Sequence, residues 1–380
     1  MKSENPFEIS SKHLDNFLNH KILNYSKLRN FDFGVDKRDN ISNLSKFISH
    51  RVLFEFDVIK KVLNKYPYIK VEKFVQEIFW RVYWKCHLEH KPDIWTDFIN
   101  YNFQSNENAN YLKAINSQTG IECFDEWVKE LKEFNYLHNH TRMWFASIWI
   151  FTLNLPWQLG AKFFLSHLFD GDEAVNTLSW RWVAGLQTKG KNYIAKSWNV
   201  EKFSNKRFLN IKLNENPETK VEEKKFNLRD INYTSINKKQ NKFLLMFEND
   251  CYYLNKASLY IKYDYIYILR IQNHHRKIQL SQNVIKYKNQ LLLYLTKNLI
   301  NSVLISRDEF IKKTHTLKNF DIVYPFIGEN LDFMNNIIQQ QKLNINFLHR
   351  SEDMFCLDYA KKGFFNFKNS IPKIINKCCS

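Results

Sequence analysis

The feature that most constrains this chain is the stretch from His138 to Trp182, HNHTRMWFASIWIFTLNLPWQLGAKFFLSHLFDGDEAVNTLSWRW. Two apolar, aromatic-rich segments flank Pro156 and Trp157, and the second runs into Asp170-Gly171-Asp172. Beyond Asn176 stand Trp180 and Trp182, two positions apart. A segment this apolar is bound for burial, yet it carries an Arg, two Asp and an Asn. Burying such groups is costly unless partners or a ligand satisfy them. The combination predicts a pocket for a large, flat, polar cofactor.

Composition sets the frame. At 380 residues, the chain is long enough for two domains with a core each. A hydrophobic content of 44% and an aromatic content of 16% exclude general disorder, and only 8 Gly and 7 Pro favour helix. The net charge of +17 favours a polyanionic partner, nucleic acid first and an acidic membrane surface second. Charge alone is equally compatible with a plain solvated basic surface. The six cysteines show no CxxC pair and no ligand-like spacing with His, so no metal is expected and free thiols in a reducing cytoplasm are. The N-terminal MKSENPFEISSKHLDNF has no apolar core of signal-peptide type, and no apolar run reaches membrane-spanning length. The expectation is a cytoplasmic monomer with no membrane association and no protein partner.

Along the chain, residues 1–40 read as polar and irregular, with RNFDFG (29–34) as a loop. From Ser42 the texture turns helical: Leu44, Phe47, Ile48 and Val52 recur at helical spacing, as do Val71, Phe74, Val75, Ile78 and Phe79. The stretch 91–111, with Pro92 and an Asn cluster, reads as a loop, and helices resume at 125–134 and 142–153. The charged 214–226 segment, without apolar periodicity, reads as a linker between an all-α domain (1–213) and a second domain (227–380). In the second domain the short apolar runs 243–247, 266–271, 302–306, 321–326 and 345–349 look like buried strands. Amphipathic stretches at 284–300 and 329–341 separate some of them, which indicates a parallel, Rossmann-like α/β sheet. It contains no GxGxxG and no GxxxxGK[ST], so nothing there marks a nucleotide site.

Three constellations carry chemistry. In Asn40–Arg51, Ser42 and Ser45 sit where a loop enters a helix, a natural phosphate seat, with Lys46, His50 and Arg51 adding positive charge. Taken alone, that motif is more often an ordinary serine cap. In Glu72–Trp84, residues Glu77, Trp80 and Arg81 share one helical face, so a carboxylate stands beside an indole able to stack on a base. A core Trp beside a surface ion pair is the commoner meaning of a lone instance. In the opening stretch, Asn139 and Arg142 stand three apart, and Arg142 with Asp170 would form a planar buried ion pair able to clasp an amide-rich ring.

The blocks RNFD, SNLS, QEIFWR, LHNHTRM, PWQLGAKFFLSHLFDGDEAVN and WRW occur in this order over about residues 29–205. They resemble the flavin-binding helical domain of the DNA photolyase/cryptochrome family. The resemblance implies a U-shaped FAD in the all-α domain. Ser42, Leu44 and Ser45 would lie against its phosphates, and Arg81, Asn139, Arg142, Asp170 and Asp172 would surround the flavin, ribitol or adenine. Asn176 falls where the family faces the flavin N5, and an amide there suits an electron donor. Glu77, Trp80, Asn139, Met143 and Trp182 match the positions lining the pocket for a cyclobutane pyrimidine dimer flipped out of DNA. The implied activity is that of a deoxyribodipyrimidine photolyase, a carbon–carbon lyase. It lends an electron from photoexcited reduced FAD to the dimer and recovers it once the ring has split. Asn139, where the (6-4) branch has His, points to dimer repair.

The chain also departs from the family. Trp180 and Trp157 match the inner two tryptophans of the photoreduction chain, but Phe103 replaces the outer one, so Trp149, Trp144 or a tyrosine would have to substitute. His140 stands where many photolyases have Arg. The usual N-terminal antenna domain is missing ahead of the helical one, and the C-terminal α/β half is either a relocated, degenerate antenna domain or an unrelated partner. A cryptochrome-like blue-light photoreceptor without repair activity is the alternative, and a DNA- or RNA-binding flavoprotein without photochemistry is a third.

Overall fold

The computed structural model describes residues 5–187, 191–218, 224–231, 239–253 and 257–379. Its N-terminal part is helical: α1 (Pro6–His20), α2 (Ile22–Leu28), α3 (Ser45–Ile48), α4 (Glu55–Lys65), α5 (Tyr68–His90), α6 (Asp93–Ile99), α7 (Ala109–Ile115), α8 (Glu122–Phe134), α9 (Asn139–Ser147), α10 (Trp157–His167), α11 (Glu173–Val183) and α12 (Ser197–Phe203). Then come β1 (Phe243–Met246), α13 (Ala257–Tyr260), β2 (Tyr265–Leu269), α14 (Gln282–Asn298), β3 (Ser302–Ile305), α15 (Arg307–Lys313), β4 (Asn319–Val323), α16 (Glu329–Gln341) and β5 (Asn344–Leu348), followed by α17 (Ser351–Leu357) and α18 (Phe364–Cys378).

The organising element is α5, twenty-three residues long and buried along most of its second half. It packs against α2, α4, α11, α17 and α18. Two stretches read from sequence as irregular are in fact helical. Within residues 1–40, Asn5 caps α1 through the Phe7 amide, Pro6 holds its first position, and Ser10, Leu14, Phe17 and Leu18 form a narrow buried stripe. Within 91–111, Pro92 opens α6 and Asn108 caps α7 through the Tyr111 amide, so the supposed breakers are helix starts. RNFDFG stays outside regular structure. The expected linker at 214–226 is described except for residues 219–223, which lie outside the described residues.

All five expected strands form one parallel sheet in the order β3-β2-β1-β4-β5. Leu244, Met246, Ile266 and Ile268 join the core shared with the helical part. Leu245, Phe247, Tyr267 and Leu269 alternate with them and pack with Phe310, Phe333 and Met334 of α15 and α16. After β5 the chain returns to the helical part, where α18 lies on α4 and α5. The fold is therefore mostly helical with one Rossmann-like parallel sheet, and no described helix is long and apolar enough to cross a membrane. All six cysteines are free.

Candidate functional site

A cavity of about 560 Å³ opens between α2, α5, α9, α10, α11 and the turn before α3. The turn contributes Ser42, Leu44 and Ser45, and α5 contributes Glu77, Trp80 and Arg81 from one face. Asn139, Arg142 and Met143 come from α9, while Asp170, Asp172, Asn176, Trp180 and Trp182 come from α11 and the turn leading into it. Fourteen of the fifteen residues that the resemblance assigns to cofactor, lesion pocket and electron transfer thus meet around one space. The exception is Trp157, which lines a separate cleft.

The cavity is built around charge. The Arg142 guanidinium is 3.0 Å from Asp170, and its Nε donates to the Leu137 carbonyl at 2.9 Å. Burial alone would raise Asp170, but Arg142 and Arg81 outweigh it and hold the carboxyl below its usual range. Asp172 caps α11 by accepting the Val175 amide at 2.9 Å and lies 3.5 Å from Lys85. Lys85 and Arg81 likewise hold it low against burial. Four buried polar atoms around this space make no well-formed hydrogen bond among the described residues, Arg81 Nε and Nη2, Ser45 Oγ and Asp170 Oδ1, although Ser45 and Arg81 both face the Asp170 carboxylate. Leaving such groups unpaired costs about 1–3 kcal/mol each, more for charged ones. Two guanidinium donors, a hydroxyl and a carboxylate acceptor around one space suit a ligand with phosphates and a polar ring, and FAD fits that donor set. Asn176 donates Nδ2 to the Ala161 carbonyl at 2.9 Å, and its oxygen accepts no hydrogen bond among the described residues.

The other flank of the cavity is aromatic. Glu77 is paired with Arg29 at 2.6 Å, and burial pushes its carboxyl upward against Arg29 and Lys73. Trp80 is stacked on Phe364 of α18, ring centroids 3.4 Å apart and planes 11° apart. Trp182 stacks on Tyr193 at 5.7 Å. His140, one residue beyond Asn139, lies 4.2 Å from the Trp144 ring and bonds the Asn30 carbonyl at 2.9 Å.

Trp180 is buried between the cavity and α10, where a Cβ on Gly160 would come within 2.2 Å of its ring. Only glycine lets helix and indole approach so closely. The neighbouring rings are Phe164 at 5.0 Å and Trp149 at 6.2 Å, and Trp149 in turn meets Tyr111 at 6.0 Å. Trp157 instead stacks on Phe98 at 5.5 Å, and Phe98 meets Phe103 at 5.8 Å.

None of the three cations expected at the phosphate seat lines the cavity, and Lys46 lies over the Phe47 ring at 5.2 Å. Arg51 faces Asp250 and Asp353, and His50 bonds the Glu248 and Phe169 carbonyls, so both are buried against the α/β half. Their partners lie far along the chain, out of reach of any local motif. Nor is Ser45 an ordinary cap: the α3 N-cap is Leu44, with no side-chain cap bond, and Ser42 accepts the Leu44 amide at 3.4 Å. Sequence reading also missed Lys85, Arg29 and Gly160. A lysine within an otherwise apolar run of α5, and a glycine inside an apolar helix, were the available signals.

Residues 74–210 match the family described as the FAD binding domain of DNA photolyase. The deoxyribodipyrimidine photo-lyase of Buchnera aphidicola subsp. Baizongia pistaciae is 29% identical over 173 residues, covering 43% of this chain and 36% of that protein. Among solved structures, a class III photolyase from Agrobacterium tumefaciens aligns with a TM-score of 0.44 and 24% identity, over 52% of this chain and 42% of that one. A cryptochrome from Synechocystis sp. PCC6803 aligns with a TM-score of 0.47 and 19% identity, over 54% and 44%. The chain therefore spans less than half the length of these relatives.

Proposed function

We propose, from a helical half that is a FAD-binding domain of the photolyase/cryptochrome family, that this chain is a light-driven lyase repairing cyclobutane pyrimidine dimers in DNA. One observation carries the reading. Glu77, Trp80, Asn139, Met143 and Trp182 open onto the same cavity as the incompletely hydrogen-bonded Arg81, Ser45 and Asp170. Cofactor shell and lesion pocket then share a wall, and electron transfer falls steeply with distance.

In this reading Arg81 and Ser45 hold phosphate oxygens, Arg142 and Asp170 clasp the polar edge of the ring, and the Asn176 oxygen accepts from it. Bound and reduced, FAD supplies a light-excitable one-electron donor. Trp80 and Trp182 give an extruded dimer aromatic surfaces, Glu77 accepts from its base edge, and Asn139 and Met143 close the pocket. The net charge of +17 holds the DNA backbone. Trp180 with Trp149 and Tyr111 forms a ring sequence ending in an oxidisable side chain, whereas the neighbours of Trp157 lead to phenylalanine.

We take residues 227–380 as a relocated antenna-type domain, joined through 214–226. The order of its sheet reverses between β1 and β4, the crevice where open α/β sheets take ligands. Beyond the carboxyl ends of β4 and β5, Arg51, Arg350 and Asp353 line a cavity of only about 10 Å³, room for one water. An antenna chromophore would need another seat.

A second reading, a blue-light photoreceptor without repair, is favoured by the Phe364 ring lying on Trp80, since it covers an indole face the lesion would use. The test is to illuminate the purified flavoprotein with dimer-containing oligothymidine under reducing conditions. The expected result is light-dependent recovery of thymine absorbance. Glu77→Ala or Trp182→Ala should weaken lesion binding with FAD retained, and FAD loss in either would place that residue in the cofactor shell. Bound flavin without repair, also in Phe364→Ala, would overturn the lyase in favour of the photoreceptor.

A further inference from the structure

A second cleft, of about 1470 Å³, lies beside α6, the turn before α10 and the outward side of α11. Adjacent helical residues point in different directions, so while Trp180 and Trp182 line the flavin-type cavity, Arg181 between them projects into this cleft. Arg181 is only 5% exposed, and its Nε has no hydrogen-bond partner among the described residues. Its guanidinium lies 5.7 Å from the Trp157 ring and 5.0 Å from the Phe226 ring. Aromatic faces attract the charge but leave the buried Nε–H without an acceptor among the described residues.

Asp97 stabilises its charge from a distance but does not hydrogen-bond it among the described residues, and the carboxylates nearby are shared with other cations. Asp97 is paired with Lys224 at 2.6 Å and Asp93 with Arg229 at 2.5 Å. Burial pulls Arg181 down to about 10, which still leaves it charged at neutral pH. A cation this buried, with its one nearby carboxylate shared with Lys224, is stabilised further if an anion joins it. Around it, Leu155, Pro156 and Trp157 form an apolar wall, and the amides of Asn154 and Gln158 supply neutral donors and acceptors.

We propose that this cleft binds a planar aromatic organic anion, with its carboxylate or phosphate on the Arg181 guanidinium and its ring along the Leu155–Trp157 wall. The guanidinium fork suits two parallel bonds to such a group. The wall distinguishes an aromatic anion from an inorganic one, and the incompletely paired guanidinium distinguishes an anion from its neutral isostere. The site is independent of the flavin-type cavity and holds whether or not the chain repairs DNA.

The test is calorimetric titration of the FAD-loaded full chain with 2-naphthoate, naphthyl phosphate, 2-naphthamide and inorganic phosphate. One or both aromatic anions should bind roughly tenfold or more tighter than the amide and than inorganic phosphate. Whichever binds tighter identifies the preferred anionic group. Arg181→Gln should erase the preference over the amide while the flavin spectrum stays unchanged, and Arg181→Lys, which keeps the charge, should restore part of it if the Gln variant fails to fold. Equal binding of naphthoate, naphthyl phosphate and naphthamide, inorganic phosphate as tight as the aromatic anions, or binding unaffected by Arg181→Gln would each overturn the proposal.

Discussion

The molecule holds two clusters of buried charge that look alike in composition and differ in completeness. At the join between the helical part and the sheet, Arg51 grips Asp353 through two bonds of 2.6 and 2.7 Å and reaches Asp250 and Glu55 at 3.1 Å each. Arg350 takes the rest of Asp250 at 2.5 and 2.7 Å, and Lys85 stands 3.6 Å from Glu55. Three cations face three carboxylates, Glu55 Oε1 being the one oxygen left without a hydrogen bond among the described residues, and the cavity left over is about 10 Å³. Around the 560 Å³ cavity, by contrast, Arg81, Ser45 and Asp170 leave four buried polar atoms without a well-formed hydrogen bond among the described residues. A network this close to complete stabilises the join between two parts of a fold. An incomplete one, beside open space, is shaped for something the chain does not itself supply.

The sharpest way to break that contrast is to open the near-complete network. Arg51→Ala leaves Asp353, Asp250 and Glu55 short of a cation in a buried setting, and removing one partner of such a group typically costs about 3–5 kcal/mol. Alanine does not relieve the backbone either, because Arg51 holds a left-handed φ of 50° that any non-glycine residue adopts at a cost. Thermal unfolding should shift down strongly, with flavin content per folded molecule unchanged. A variant as stable as the parent would mean that the join is held by apolar packing alone.

Arg81→Ala should do the reverse. Its Nε and Nη2 make no hydrogen bond among the described residues, but its charge helps hold the buried Asp170 and Asp172 ionised, so the apo chain should lose some stability, clearly less than in Arg51→Ala. Lost charge-assisted bonds to a phosphate are worth about 1.5–3 kcal/mol each, so FAD affinity should fall roughly tenfold to a hundredfold. Flavin absorbance after gel filtration, beside the apo melting temperature, separates the two effects. If Arg81→Ala melts like Arg51→Ala, the two clusters are not different in kind.

The same contrast explains what could be read beforehand. The cavity was legible because each contribution is local: Glu77, Trp80 and Arg81 on one face of α5, Asn139 and Arg142 one turn apart, Asp172 to Trp182 on a single helix. The strands were legible from short apolar runs. The join was not, because Arg51 meets Asp250 and Asp353 from 199 and 302 residues away, and in isolation it looked like one more phosphate-binding cation. The α1 stripe of Leu14, Phe17 and Leu18 is too sparse to stand out among polar neighbours. Nothing near Phe364 in sequence announces that it lies on Trp80.

A smaller effect tests whether the near-complete cluster is also strained at its edge. Glu89 accepts from the Tyr324 hydroxyl at 2.7 Å and the Ile327 amide at 2.9 Å, yet burial, with Asp353 adding to it, pushes its carboxyl up to about 7. The folded state then holds that proton more tightly than the unfolded chain, whose carboxyl titrates near 4.5. Stability from this group therefore falls as pH rises between 4.5 and 7, and the deficit is complete above 7. His87 and His138 work on the opposite limb. Burial lowers both to about 4 from 6.5, so stability is lost as pH falls through that window. The melting temperature should peak at mildly acidic pH. Glu89→Gln should flatten the alkaline limb, matching the parent near pH 5 and exceeding it near pH 8. The full shift corresponds to roughly 3 kcal/mol, and with the amide unable to copy both bonds about 1 kcal/mol should remain. A Gln variant less stable than the parent at pH 8 would show that the Tyr324 and Ile327 bonds outweigh burial, placing Glu89 inside the near-complete network rather than at its strained edge.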